Sequence, residues 1–236
     1  MTSIRPLIPL LVTAGILIGG NGLQGTFISL RALSEGFSPS LIGVVGTGYN
    51  IGFAIGCIYI TRMIRAVGHI RAFSALAAIA SAASILMLLF IDPIGWFLLR
   101  LVQGLCFAGL FAVVESWLNA RVTNSTRART LSLYRFVDLG AVTLAQFAIP
   151  AVGISGYELF VIISMALTLS LVPISLTDRS SPQAPEQVRF DIKVLWRVSP
   201  LATIGCIVVG LTNSSFRSLG PIYAEGIGRS VASLTR

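Results

Sequence analysis

Long apolar runs separated by short polar segments make up most of the chain. A helix that spans a bilayer needs about 20 mostly apolar residues, and roughly seven stretches come close to that length. They cover residues 6–30, 41–60, 72–91, 95–118, 131–152, 157–176 and 200–216. Because the segments between the first six runs are short, neighbouring helices must run antiparallel. The pattern predicts an all-α membrane protein.

Residues 177–199 form a different kind of segment. They hold serines, prolines and seven charged residues, a composition typical of a solvated linker. We therefore predict a six-helix transmembrane bundle over residues 1–176 and a cytoplasmic linker over 177–199. Residues 200–236 are expected to start a second bundle, which is truncated after its first helix.

Composition and charge narrow the class of protein further. Charged residues make up 11% of the chain, against about 25% in a typical soluble domain. This argues against a soluble enzyme or a disordered regulator. A net charge of +8 would suggest nucleic acid, but the arginines gather in alternate connections between the apolar runs. We therefore expect a lipid bilayer around the chain and no nucleic-acid partner.

The distribution of these basic residues also predicts an orientation. About twelve Arg and Lys residues precede the first run or lie in the second connection, the fourth connection and the linker. The opposite side has one or two, which are Arg31 and, just inside the fourth run, Arg100. Because loops rich in Arg and Lys stay in the cytoplasm, the N-terminus and the linker are expected to be cytoplasmic.

A weak internal repeat supports the idea of two bundles. A shift of 190 positions places Gly20 on Gly210 and Glu35 on Glu225. Both helices keep the same direction, as in a parallel repeat about an axis normal to the membrane. The chain is therefore expected to be a fragment of a two-bundle protein. Function would then require self-association or a separate C-terminal half.

Several short motifs carry a family resemblance. They are the Arg-x-x-x-Gly-x-x-x-Ala series from Arg100, the Glu-Ser-Trp-Leu-Asn stretch from Glu115, the Arg-x-Arg pair from Arg127, and the basic loop 61–71 with its Gly68. Together with the helix pattern, they resemble the N-terminal half, plus one helix, of a major facilitator superfamily transporter. Within that superfamily the chain is similar to the YcaD-type group of bacterial permeases. It departs from the superfamily's pattern at Arg65, where an aspartate is usual.

The resemblance implies a multi-pass protein of the bacterial inner membrane that moves a small-molecule solute by alternating access, coupled to an ion or proton. No nucleotide-binding loop occurs in the sequence, so ATP is not expected to drive transport within this chain. No cofactor is expected. We find no paired carboxylates, His-Glu-x-x-His motif or Ser/His arrangement, so an enzyme is not expected either. The alternative is a truncated, non-transporting membrane protein that acts in assembly or sensing.

Polar residues inside the apolar runs are the candidates for a substrate cavity. They are Asn21, Gln24, Asn50, Arg100 and Gln103. A charge at mid-bilayer costs about 2.5–3.5 kcal/mol on insertion scales, so it needs a partner or a water-filled cavity. The alternative for Arg100 is to extend along the helix to the outer interface. The alternative for Asn21 and Gln24 is hydrogen bonding between helices, worth about 0.6 kcal/mol on average.

A second candidate group is a cytoplasmic gate or charge cluster. Its members are Arg65, Gly68, Arg71, Glu115, Arg129 and Asp138. Glu115 lies about 22 Å along the helix from Arg100, at about 1.5 Å per residue. We expect Glu115 to pair with one of the nearby arginines, with proton coupling as the alternative. Asp138 is expected to pair with Arg135 or with the cluster, and His69 is expected to be solvated.

Small residues repeat at a spacing of four in the second run. Gly48, Gly52 and Gly56 share one helix face, which allows close approach of another helix in lipid. The interface is expected either to slide during transport or to be a static packing contact. Pro150 and Pro173 fall inside predicted helices, and each is expected to bend its helix because proline lacks a backbone N–H.

Overall fold

The computed structural model describes residues 7–120, 122, 126–175 and 192–227. Within these residues every regular element is a helix. The helices are α1 (Ile8–Ser34), α2 (Pro39–Val67), α3 (His69–Leu89), α4 (Pro93–Ala120), α5 (Arg127–Gln146), α6 (Ala148–Val152), α7 (Glu158–Leu169), α8 (Leu171–Ser175), α9 (Ile192–Val198) and α10 (Pro200–Gly226). The predicted all-α class is confirmed.

Three helices begin with the same local signal. A side-chain oxygen accepts a hydrogen bond from the backbone N–H three residues later, and a proline follows the capping residue. The oxygens belong to Ser38 before α2, Asp92 before α4 and Ser199 before α10, with distances of 3.4, 2.8 and 3.2 Å. Such caps satisfy a backbone donor that the helix leaves free, and proline suits the first helical position because its φ angle is already helical.

Among the described residues, six spans are long and apolar enough to cross a membrane. They are α1, α2, α3, α4, α5 continued by α6, and α7 continued by α8. The last two are interrupted at Phe147 and Ser170, each three residues before a proline. Because Pro150 and Pro173 cannot donate a backbone hydrogen bond to the preceding turn, the helix breaks there. The interruptions agree with the predicted effect of both prolines.

The seventh predicted span is helical over α10 but is not among those six. Its second half carries polar residues, among them Ser214, Arg217 and Ser218, which lower its mean hydropathy. Both α1 and α10 are 27 residues long. They begin at residues 8 and 200, close to the predicted repeat.

The contact between α2 and α4 depends on glycine. A Cβ atom added at Gly48 would lie 2.7 Å from the Phe97 carbonyl oxygen, and one added at Gly56 would lie 2.6 Å from the Ala108 Cβ. An added Cβ at Gly52 would overlap the Leu101 carbonyl. The two backbones therefore touch along the predicted glycine face, and this contact fixes how α2 presents its residues to the rest of the bundle.

His69 corrects a prediction. It begins α3, is 2% exposed, and has its Nε2 atom 3.1 Å from the Ser116 Oγ atom of α4. The expectation of a solvated side chain was wrong because the connection between α2 and α3 consists of Gly68 alone. His69 therefore enters a helix at once, on a face that packs against α4.

Candidate functional site

A cavity of about 80 Å³ lies between α1, α2, α4 and α10. Its apolar wall comes from Ile28, Ile42 and Val45. Its polar lining consists of Asn21 and Ser29 from α1, Tyr49 and Asn50 from α2, Arg100 from α4, and Ser214, Arg217 and Ser218 from α10. Asn21 is the midpoint of α1, so the cavity opens well inside the span. Three of the five predicted cavity residues, Asn21, Asn50 and Arg100, line it.

Arg100 is the buried charge of this cavity. It lies about 10 Å along α4 from Pro93, at about 1.5 Å per residue, and is 6% exposed. Its Cζ atom is 4.4 Å from the centre of the Tyr49 ring, and its Nη1 atom donates to Gln103 Oε1 at 3.1 Å. Its Nε atom is buried without a hydrogen-bond partner. Such burial argues against the alternative of a side chain that extends to the membrane surface.

Tyr49 connects Arg100 to α1. Its hydroxyl donates to Asn21 Oδ1 at 3.1 Å, which orients the ring so that its face meets the guanidinium. The negative face of an aromatic ring attracts a cation. Tyr49 was not among the predicted cavity residues, because a tyrosine in an apolar run has no spacing that distinguishes it from a packing residue.

Gln24 and Gln103 lie behind the cavity and not on its wall. Both donate to the Oγ atom of Ser84 on α3, at 2.9 and 3.1 Å, and both are fully buried. The Ser84 hydroxyl in turn donates to the Ala80 carbonyl at 3.1 Å. Gln24 therefore forms a hydrogen bond between helices, which was the alternative to lining the cavity. The network ties α1, α3 and α4 together and holds the oxygen that accepts from Arg100.

The contribution of α10 went undetected in the sequence. Ser214, Arg217 and Ser218 are spaced so that they share one helix face, and all three line the cavity. Asn50 Nδ2 donates to Ser214 Oγ at 2.7 Å, which joins α2 to α10. The predicted seventh run ended at residue 216 because Arg217 interrupts its apolar character, so Arg217 and Ser218 were not among the predicted cavity residues. A search for polar residues at this helical spacing would have found them.

Comparison with known proteins gives the family. Residues 10–235 match the sequence profile of the Major Facilitator Superfamily. The chain belongs to this superfamily. It is 26% identical over 235 residues to the uncharacterized MFS-type transporter YcaD of Escherichia coli strain SE11 and of Shigella sonnei. The match covers 99% of this chain and 62% of each relative, so the chain spans less than two thirds of their length. The resemblance inferred from the sequence is confirmed.

Solved structures of superfamily transporters share the fold. The crystal structure of a bacterial homologue of the human lysosomal transporter Spinster, inward-facing and unoccupied, has a TM-score of 0.75 at 15% identity. That match covers 98% of this chain and 57% of the other. The nucleoside transporter NupG has a TM-score of 0.64 at 12% identity, covering 89% and 53%. The family, its bacterial relatives and the six apolar spans of the described part of the chain together make it a multi-pass bacterial membrane protein.

The connection between α2 and α3, which is the basic loop of the superfamily, lies at the same end of the bundle as the connection between α4 and α5. We refer to this end of the bundle as the arginine-rich end. Its predicted cluster members Arg65, Arg71, Glu115 and Arg129 are exposed. The ion pairs between described residues are Arg31–Glu35 at 2.7 Å and Arg135–Asp138 at 2.6 Å. Asp138 thus takes the first of its two predicted partners. Within the described residues, Glu115 forms no ion pair with the nearby arginines that were predicted as its partners.

Gly68 holds the turn at this end. Its φ angle is +85° with ψ at 163°, a conformation that is essentially restricted to glycine. Its N–H donates to the Ile64 carbonyl at 2.8 Å, which closes α2 while α3 starts at the next residue. The chain therefore reverses direction on a single residue.

We expect Gly68→Ala to lower the free energy of unfolding by about 1–3 kcal/mol, the usual cost of such a backbone conformation for other residues. No atom lies within 4 Å of the added Cβ, so the loss would come from the backbone alone. Denaturation in detergent by titration with sodium dodecyl sulfate measures it. Gly140→Ala in α5, which is equally uncrowded and has no positive φ, should show no loss. If Gly68→Ala were as stable as Gly140→Ala, the backbone at Gly68 would not require glycine.

Proposed function

We propose that the chain is part of a secondary transporter that moves a small solute by alternating access, coupled to an ion or proton. The cavity around Arg100 is its solute site. The observation that carries this proposal is the position of the cavity, between helices of the first bundle and α10. Transporters built from repeats bind their solutes near the midplane at the repeat interface. The relatives described above are named as transporters, which supports the same conclusion.

The domain organisation belongs to this proposal. Residues 1–176 would form the first bundle, 177–199 the linker, and 200–236 the start of the second bundle. Most of the linker lies outside the described residues. In support, α10 repeats the length of α1, and its polar face closes the cavity that α1, α2 and α4 leave open.

Transport is tested with cells that carry or lack the complete gene. Initial uptake and efflux of a panel of labelled small solutes are compared, with and without an ionophore that dissipates the proton gradient. We expect the flux of at least one solute to depend on the gene and to fall when the gradient is lost. Flux that depends on the gene but not on any ion gradient would contradict the proposed coupling to an ion or proton. No gene-dependent flux of any solute would favour the alternative role in assembly or sensing.

The orientation is tested separately. We expect the arginine-rich end to face the cytoplasm, because positively charged loops are retained there. Green fluorescent protein fused after Arg71 should fluoresce, and alkaline phosphatase fused after Asp92 should be active in the periplasm. Exchanging the two reporters provides the control, since both signals should then disappear. The reverse pattern would contradict the predicted orientation.

A further inference from the structure

The charge of the cavity is unbalanced. Arg100 and Arg217 line it, and the other polar lining residues are neutral amides and hydroxyls. Neither aspartate nor glutamate occurs among the lining residues of the described chain. A cavity with two positive charges and no carboxylate favours an anion as its occupant.

Arg100 is under-satisfied as well as buried. A guanidinium carries five N–H donors. One nitrogen donates to Gln103, and the buried Nε has no partner. The Tyr49 ring lies 4.4 Å from the guanidinium carbon, but it carries no net negative charge and so does not neutralise Arg100. A charge held in a low-dielectric site without an anionic partner is costly, and an incoming anion would remove that cost.

Arg217 approaches the same cavity from the second bundle. It is exposed and has neither a hydrogen bond nor an ion pair with another described residue. Both arginines lie close enough to Tyr49 to interact with it electrostatically. The hydroxyl of Ser218 and the Asn50 side chain line the cavity beside them. Both N–H groups of Asn50 already donate, to Ser214 Oγ and to the Gly46 carbonyl, so the donors that the cavity offers to a ligand lie on α4 and α10.

We propose that the cavity binds its solute through an anionic group, a carboxylate or a phosphate, held between Arg100 and Arg217. Arginine suits this task because its planar guanidinium can donate two parallel hydrogen bonds to such a group. The anion would join a helix of the first bundle to the first helix of the second. This inference rests on the transport function proposed above and names the substrate class of that site.

The test uses the complete gene product purified in detergent, with thermal denaturation at constant ionic strength as the readout. Benzoate is compared with benzamide, which has nearly the same shape and no charge. Inorganic phosphate is compared with sodium chloride. We expect benzoate or phosphate to raise the melting temperature in a saturable way, while benzamide has no effect. Whichever anion does so identifies the favoured group.

Variants assign the effect to the two arginines. Arg217→Gln removes an exposed side chain and should fold, yet it should weaken the affinity for the anion at least tenfold. Arg100→Gln should do the same where it folds. Arg62→Gln is the matched control, because its guanidinium also lies over a tyrosine ring, at 5.7 Å from the centre of Tyr59. It lies about 18 Å along α2 from Asn50, and its affinity for the anion should be unchanged.

Several outcomes would overturn the proposal. They are equal stabilisation by benzoate and benzamide, no stabilisation by benzoate or phosphate, and full affinity in Arg217→Gln. Flux of a neutral solute that anions do not inhibit would also overturn it, while the transport function would stand. Conversely, anion binding that depends on both arginines, without any gene-dependent flux, would support the anion site and contradict the transport function.

Discussion

Replacing Gly52 by alanine is expected to disrupt the bundle more than any other single-methyl change in α2. The added Cβ would overlap the Leu101 carbonyl of α4, and its nearest neighbours are backbone atoms and not the flexible end of a side chain. Overpacking of a tight core costs about 1–3 kcal/mol where side chains can adjust. Here a whole helix must move, so we expect a loss at or above the upper end of that range.

The same change should disturb the cavity. Tyr49 lies one turn before Gly52 on α2, and its backbone carbonyl in turn contacts Gly104 on α4. If α2 moves away from α4, the Tyr49 ring can no longer lie over Arg100. Gly52→Ala should therefore lose both stability in the sodium dodecyl sulfate titration and the anion response described above.

A matched control is available on the same helix. Gly43 lies inside α2 with no atom within 4 Å of its added Cβ. Alanine is favoured over glycine in a helix interior by about 0.5–1 kcal/mol, so Gly43→Ala should leave stability unchanged or raise it. If both variants unfold at the same denaturant concentration, the glycine face is not a tight contact. The interface would then have room to slide.

The helices of this protein could be predicted because a bilayer imposes simple rules. A span must be apolar over about 20 residues and must satisfy its backbone internally. The runs at 6–30 and 95–118 therefore lie inside single helices almost completely. The rules fail where polar residues enter a span. The run ended at 216 although α10 continues to Gly226, because Arg217 faces a cavity and not lipid.

The candidate site could be predicted only in part, for a related reason. Asn21 and Arg100 were identified because polar residues are rare in an apolar run. Sequence does not distinguish a residue on the cavity wall from one that hydrogen-bonds behind it. Gln24 and Gln103 share Ser84 as an acceptor, and that pairing depends on how α1, α3 and α4 meet. Such contacts between helices distant in sequence have no local signal.

Arg31 is a second case in which the sequence does not reveal a contact between distant helices. The charge count assigned it to the loops of the side opposite the arginine-rich end. In the structure it is 8% exposed at the end of α1. Its Nη1 atom donates to the carbonyls of Ile154 at 2.8 Å, Gly156 at 3.1 Å and the serine between them, while Nη2 pairs with Glu35. It therefore joins α1 to the connection between α6 and α7.

Arg31→Ala is expected to lower the free energy of unfolding by about 3 kcal/mol or more. The three carbonyls would lose a charged donor, and a hydrogen bond to a charged group contributes about 1.5–3 kcal/mol. The Glu35 side chain is 26% exposed and adds less, because water can solvate it once Arg31 is gone. Arg31→Lys should recover part of the loss, since an ammonium can donate to fewer of these acceptors at once. Titration with sodium dodecyl sulfate in detergent measures all three proteins.

Arg135→Ala separates this effect from the loss of any ion pair. Arg135 pairs with Asp138 at 2.6 Å within α5, but its side chain is 71% exposed. Exposed pairs contribute about 0–1 kcal/mol, so this variant should remain close to the wild type. A large loss in Arg31→Ala with little change in Arg135→Ala would show that α1 is held at this end by the carbonyls of the α6–α7 connection. Similar small losses in both would mean that α1 is held there by apolar packing, such as the contact between Phe27 and Phe160, whose ring centres are 4.8 Å apart.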